Sequence, residues 1–550
     1  MKGKAWRVAV PVLIAGLLAI LPVPDGLTPN AWYYFAIFAA VIAGLILEPI
    51  PAAAIGVIGV TLAASLLLVA PPPSKPVKTV TDKPAAVVVM DNAPKGVSPG
   101  KASVLPKDNA GKVPFSDAPA GKPAGPPPAA APAGRPAGPP ADAAPSKGLT
   151  PADAIKWALS GFSDSTVWLI FIAYMFAMGY EKVGLGRRLG LGLVEKLGKK
   201  TLGLGYAIAL SDLVLAPFIP SNTARSGGTI YPIIRNIPAL YGSTPEENPR
   251  KIGSYLMWTA IATTCVTSSM FITSLAPNLL ALSIVQKTAK VTITWTEWCV
   301  GFLPVGLLLF LAVPYLAYKI YPPTQKVSED VTRWAAEELT KMGPFSRKEG
   351  AMAGLAILAL LLWIFGGSFL NATTVALLVL SLMIVTGIVT WDDVLGNKQA
   401  WNVFVWFGTL VTLAEGLNRV GFLKWISEAA AKSMTGMPIP MMMVLLIAFF
   451  FVAHYMFASI TAHVTGLLPV VLATAMAVPG VPVKMFAMLL CYSLGIMGVI
   501  TPYATGPSPI YYGSGYISRG AYWALGLVFG AIFLAALLLV GVPYLRFLNP

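Results

Sequence analysis

The stretch PFIPSNTARSGGTIYPIIRN (Pro217–Asn236) sets Ser221, Asn222 and Thr223 just after two prolines, with apolar sequence on both sides. Pro217 and Pro220 stop one helix. Ser221, Asn222 or Thr223 then caps the next and leaves its first N–H groups unpaired. Unpaired amides, the positive end of a helix and hydroxyl or amide side chains together make an anion site. The same chemistry recurs in FASITAHVTG, where Ser459 and Thr461 keep two hydroxyls. Two such tips facing each other would suit a ligand with an acidic group at each end. Arg225 and His463 stand at equivalent places behind the tips and could add positive charge. An arginine at the centre of a membrane costs at least ~2.5–3.5 kcal/mol on insertion scales, so Arg225 is expected to be paired or functional. Asp212 is its first candidate partner. Gly227 and Gly228 would allow close packing around the first tip. Helix packing is the competing use for any one of these Ser, Thr or Gly residues; two symmetric tips favour binding.

The elements that hold these tips are membrane helices. The chain has 550 residues, 56% hydrophobic and 11% charged, about half the charge fraction of a soluble protein. Several runs of 18 or more residues carry hardly a charge, long enough to cross a bilayer as helices. A net charge of +15 could suggest nucleic acid. Its concentration in short connections fits the positive-inside rule better. Cys265, Cys299 and Cys491 lie in or beside apolar segments and suggest neither a disulfide framework nor a metal cluster.

The fold class read from this pattern is an all-α polytopic membrane protein with about 11 transmembrane helices plus two re-entrant hairpins. The arms 201–219 and 226–240 flank the first tip, and 439–458 and 464–480 flank the second. Irregular backbone at membrane depth is tolerated only when buried in protein or facing water. The long runs 252–287 and 484–515 contain polar, Pro/Gly-containing middles and read as broken helices. Lys and Arg near the N-terminus, in 182–200 and in 319–349 place these segments, and the N-terminus, on the cytoplasmic side. Residues 1–71 read as N-terminal transmembrane helices. Residues 72–149, rich in Pro, Ala and Lys, read as a disordered non-cytoplasmic insert.

An internal repeat orders the rest. EKVGL (Glu181–Leu185) matches NRVGF (Asn418–Phe422) at an offset of 237, and Ser221-Asn222-Thr223-Ala224-Arg225 matches Ser459-Ile460-Thr461-Ala462-His463 at 238. ITSLAPN (Ile272–Asn278) answers ITPYATGPS (Ile500–Ser508). The first repeat spans 150–318 with its hairpin at 201–245, and the second spans 350–550 with its hairpin at 439–480. A cytoplasmic connection, 319–349, joins them. The matching spans cross in opposite directions, so the repeats are inverted. Inverted repeats with discontinuous helices place a binding site at their interface and serve alternating access.

These motifs resemble the divalent anion:sodium symporter family, along SDLVLAPFIPSNTARSGGTIYPIIRNI and TPYATGPSPIYYGSGYISRGAYW. The likeness covers nearly everything outside 72–149 and is strongest to the citrate/succinate, tartrate and 2-oxoglutarate/malate translocators of bacteria and plastids. It implies a homodimer in which a transport domain moves like an elevator against a scaffold that includes 1–71. It implies substrate contacts from Ser221, Asn222 and Thr223 at one tip and from Ser459 and Thr461 at the other. The broken helices would contribute Thr273, Pro277 and Asn278 in one repeat and Thr501, Gly506 and Pro507 in the other. Sodium-coupled members carry Asn where this chain has Ile460, whose side chain offers a hard cation no oxygen. Arg225 and His463 are therefore expected to take sodium's place beside the substrate. The expectation is a sodium-independent exchanger of di- or tricarboxylates (succinate, malate, fumarate, 2-oxoglutarate, tartrate or citrate) in the bacterial cytoplasmic membrane. Sodium or proton symport is the alternative within the family; a channel or a non-transporting sensor is the alternative outside it. No nucleotide-binding loop, catalytic constellation or cofactor motif appears, which speaks against a pump or an enzyme.

Overall fold

The computed structural model describes residues 5–69, 150–367, 369–434 and 436–548. The expected disorder of 72–149 lies outside the described residues. Among those described, the chain is helical throughout, with one isolated bridge between Lys200 and Val327 in place of any sheet.

Three helices open the chain: α1 (Ala5–Ile20), α2 (Pro29–Leu47) and α3 (Ala52–Ser65). The first repeat runs α4 (Pro151–Ala158), α5 (Ser165–Val183), α6 (Leu185–Leu197), α7 (Thr201–Leu215), α8 (Tyr231–Ile234), α9 (Gly253–Met270), α10 (Ala276–Ala289) and α11 (Trp295–Ile320). Then come α12 (Glu329–Lys341), α13 (Arg347–Phe365), α14 (Ala372–Val385) and α15 (Trp391–Gly396). The second repeat, which begins with α13, continues through α16 (Lys398–Arg419), α17 (Phe422–Ser433), α18 (Ile439–Ala453), α19 (Ile460–Met476), α20 (Val483–Ile496), α21 (Ser508–Gly513), α22 (Arg519–Ala536) and α23 (Val542–Leu548). Among the described residues, seven helices are long and apolar enough to cross a membrane by length and composition, and six shorter apolar helices accompany them. The protein is a multi-pass membrane protein.

The repeat seen in the sequence has a backbone counterpart. Gly184 and Gly421, the equivalent glycines, both adopt left-handed φ (77° and 83°) and start α6 and α17. A residue with a Cβ resists that conformation, so the VG pair marks the same turn twice. α6 packs on α12, where Arg187 donates to Glu338 at 2.8 Å, and Arg188 donates at 2.6 Å to Glu349 in the first turn of α13. The sequence reading leaves 182–200 and 319–349 as charged connections; each instead contains an amphipathic helix that pairs its charges across the contact.

The centre of the molecule is α9 against α20, the two first halves of the broken helices. Every residue of α9 is buried, including Thr259, Thr263, Thr264, Thr267, Ser268 and Ser269. A helix buried all round cannot be amphipathic, and its hydroxyls must find partners inside. Thr264, Thr267 and Ser268 find them in Asp212 and Arg225 of the first hairpin, and Ser269 in the Tyr492 carbonyl of α20.

Candidate functional site

Both broken helices break where the sequence places polar, proline-containing residues. α9 ends at Met270, a single 3-10 turn covers Ile272–Ser274, and α10 starts at Ala276. α20 ends at Ile496, a 3-10 turn covers Met497–Val499, and α21 starts only at Ser508.

The first tip is tied to the first break through its own backbone. The Thr273 hydroxyl donates to the Pro217 carbonyl at 2.6 Å, and the Ala276 N–H donates to the Pro220 carbonyl at 2.7 Å. Of the three possible caps, Ser221 supplies the bond: its Oγ accepts from the Ala224 N–H at 3.2 Å. Its hydroxyl also meets Tyr174 of α5. The returning arm differs from the expected helix over 226–240. Thr223–Ile230 is wound as a π-helix, followed by the four-residue α8 and a 3-10 turn at Pro238–Tyr241. Pro232 and Pro238 lack the N–H groups a continuous α-helix would need. π-turns are rare and are frequent at functional sites. Gly227 permits a close approach, since a Cβ there would sit 2.4 Å from Ile510 Cδ1. Gly228 does not; a Cβ there would meet only the Thr223 carbonyl, at 4.0 Å.

Behind the tip lies Arg225, wholly buried. Its Nε donates to Asp212 at 3.1 Å, and Nη1 donates to the carbonyls of Ile219 and Ser274 at 2.9 and 2.7 Å. Nη2 lies 3.0–3.3 Å from the hydroxyls of Thr264, Thr267 and Ser268. Thr264 and Thr267 donate in turn to Asp212. Asp212 is thus the partner expected for Arg225. Arg225, expected beside the substrate, here spends all its guanidinium donors on protein oxygens, with Asp212 as its counter-charge.

The second tip is built more sparsely. Ser459 caps α19, accepting from the Ala462 N–H at 3.5 Å. Thr461 is 5% exposed, and its hydroxyl has no hydrogen-bond partner among the described residues. His454 donates through Nε2 to the Ala504 carbonyl at 2.8 Å, and Tyr503 donates to the Tyr455 carbonyl at 3.0 Å. His463 is fully buried among the rings of Phe450, His454 and Phe457. Neither of its ring nitrogens meets a hydrogen-bonding group of the described residues.

The first tip and the arm leading to the second converge on three successive residues of the second break. Ala504 receives His454 of that arm. Thr505 accepts from the Asn222 amide at 2.7 Å. Gly506 faces Thr223 so closely that a Cβ would lie 1.8 Å from the threonine Oγ1. Beyond them, the Ser226 hydroxyl meets the Tyr511 hydroxyl at 2.8 Å, and Tyr511 donates to the Ser226 carbonyl at 3.1 Å. Pro507 precedes α21, and Thr501 Oγ1 accepts from the Tyr503 N–H at 3.4 Å. In the first repeat, Pro277 sits in the first turn of α10. Asn278 turns its amide inward to the carbonyls of Ser268 and Phe271 at 2.8 and 3.3 Å, and Thr273 sits between Pro217 and the Trp295 indole N–H. Both therefore brace the first break in this structure, with their donors directed into the protein. Tyr174, Ser226, Thr505 and Tyr511 were not singled out by sequence. Thr505 had a signal, lying inside TPYATGPS; the others emerge only from packing.

Such an inverted repeat, with buried polar hairpins meeting at a broken helix, defines a membrane transporter architecture. The family model for the sodium:sulfate symporter transmembrane region matches residues 2–549, and the chain belongs to that family. It is 42% identical over 541 residues to the L-tartrate/succinate antiporter of Escherichia coli (strain K12), with 98% of each chain covered. The L-tartrate/succinate antiporter of Shigella flexneri matches at the same identity and coverage. Among solved structures, the chain is similar to the one described as "Crystal structure of the Alcanivorax borkumensis YdaH transporter reveals an unusual topology". That match has 15% identity and a TM-score of 0.48, and covers 72% of this chain and 89% of the other.

Proposed function

We infer that the protein is a sodium-independent exchanger of four-carbon dicarboxylates, succinate and tartrate first among them, working by alternating access. The observation that carries this is the meeting of the first tip and the second hairpin, through His454, at Ala504, Thr505 and Gly506. There the N-terminal turn behind Ser221–Thr223 can hold one carboxylate and that behind Ser459–Thr461 the other. Ser221, Asn222, Thr223, Ser459 and Thr461 are the proposed ligands, with Thr501, Gly506 and Pro507 shaping the floor. The antiporters at 42% identity support exchange as the mode.

The lack of sodium dependence rests on Arg225. The Ile219 and Ser274 carbonyls with nearby hydroxyls form the kind of oxygen set a hard cation takes. Here the guanidinium fills it, tethered to the chain and balanced by Asp212. An empty carrier would have to move its tips' unpaired amides and hydroxyls through the barrier without an anion, which disfavours reorientation without cargo. A homodimer, elevator motion, a cytoplasmic N-terminus and residence in a bacterial cytoplasmic membrane belong to the same reading. Counterflow in proteoliposomes tests it: uptake of labelled succinate should require internal dicarboxylate and be indifferent to sodium. Sodium-driven net uptake into vesicles without internal substrate would overturn it.

A further inference from the structure

His454 and His463 are buried rings packed edge to face, with centroids 5.0 Å apart, directly behind the second tip. His454 uses Nε2 on the Ala504 carbonyl, so its Nδ1 is the acceptor nitrogen. That Nδ1 and both nitrogens of His463 reach no hydrogen-bonding group of the described residues. Three unpaired ring nitrogens at one buried place cost about 1–3 kcal/mol each, which natural interiors rarely tolerate without a use. His463 lies in the first turn of α19, its N–H on the Ser459 carbonyl at 3.1 Å, so a carboxylate seated on that turn would be within about one helical pitch, ~5 Å.

Among the described residues, no carboxylate is paired with either ring. Of the charges on the helices packed against α19, Lys287 pairs with Asp164, Glu415 with Arg419, Lys424 with Glu428 and Lys484 with Glu297, while Lys398 and Lys432 are exposed. Tyr503 is held by the Tyr455 carbonyl and Tyr492 by the Trp298 carbonyl, and Cys491 lies buried in α20.

We propose that the His454–His463 pair is a proton site that loads together with the dicarboxylate. The anion arriving at Ser459 and Thr461 stabilises an imidazolium at His463. One new N–H of that ring can point to His454 Nδ1 and the other toward the tip. The proton comes from bulk water and adds to a ring nitrogen; no other bond forms or breaks. Because each substrate carries the proton in either direction, exchange moves no net proton, while affinity depends on pH. This rests on the dicarboxylate reading above and extends it to the second tip, which the tethered guanidinium of Arg225 does not serve.

The test is titration calorimetry of the purified full-length protein with succinate, in buffers of different ionisation enthalpy. Proton uptake accompanying binding is expected between the pKa of the empty pair and that of the loaded pair, and across that window affinity should fall by up to about tenfold per pH unit. His463→Gln should abolish the uptake and flatten the pH dependence while weaker binding persists; His454→Gln, which can keep a bond to Ala504, should reduce the uptake. Binding of succinate by the wild type without proton uptake overturns the proton site and leaves the dicarboxylate reading standing. Uptake that persists unchanged in His463→Gln also overturns it. No binding or counterflow of any dicarboxylate by folded protein overturns the functional reading, and the proton site with it.

Discussion

The two hairpins begin from one plan: an apolar arm, a Ser-x-Thr tip and a returning helix with a basic residue four positions after the serine. Their interiors then diverge. The first is saturated, with every guanidinium donor of Arg225 placed on an oxygen and its charge set against Asp212. The second keeps an open Thr461 and a histidine pair with three unpaired nitrogens. A saturated buried network specifies one arrangement, whereas an unsaturated one can respond to what arrives. The first hairpin is therefore the fixed half of the site, and the second the half that changes its protonation with its cargo.

The comparison can be broken most decisively at Arg225. Arg225→Ala leaves Asp212 buried without its partner, which should cost about 3–5 kcal/mol and lower the thermal midpoint together with exchange. Restoring much of the stability by adding Asp212→Asn would identify the loss as an unpaired charge. A variant that melts like the wild type would show that the first hairpin is not held by this pair. His463→Gln should leave the thermal midpoint nearly in place, since its ring bonds to nothing that would be orphaned.

Gly506→Ala comes next. Its Cβ cannot coexist with Thr223 Oγ1, so overpacking of about 1–3 kcal/mol should separate the tip from the break and reduce counterflow more than tenfold. Adding Thr223→Ala should recover folding; if the single variant transports normally, the hairpins do not converge as described. Asn222→Ala removes the bond to Thr505 and should raise the apparent substrate constant by roughly tenfold, about 1.4 kcal/mol. Combined with Thr505→Val, the losses should fall short of their sum, as expected for two members of one bond. Thr461→Ala should have the smallest effect, a several-fold rise in the substrate constant with unchanged melting, because its hydroxyl braces nothing. A large stability loss there would mean that the second tip is as saturated as the first.

Much of this was readable from residue order. Proline stops, Ser caps and the 237–238 offset placed both tips and both breaks, and left-handed glycines recur at the matching positions Gly184 and Gly421. The Asp212–Arg225 pair was legible because few ionisable groups share that apolar stretch. The orientation of Arg225 was not. Nor were the roles of Thr273 and Asn278 as braces, because a side chain's type says what it can bond but not which of two sides it faces. The interrupted returning arm also escaped, since Gly and Pro at that spacing permit either a long kinked helix or several short turns.

What the sequence by itself determined was local: apolar length sufficient for a bilayer, helix ends capped by Ser and stopped by Pro, and a duplication of both. Those properties depend on neighbours along the chain. Only the tertiary structure decided that Ala504, Thr505 and Gly506 join the two hairpins, that a guanidinium sits in an oxygen cage, and that two histidines share a buried contact. These contacts pair residues from different repeats or different helices, and their partners are chosen by packing, which residue spacing does not encode.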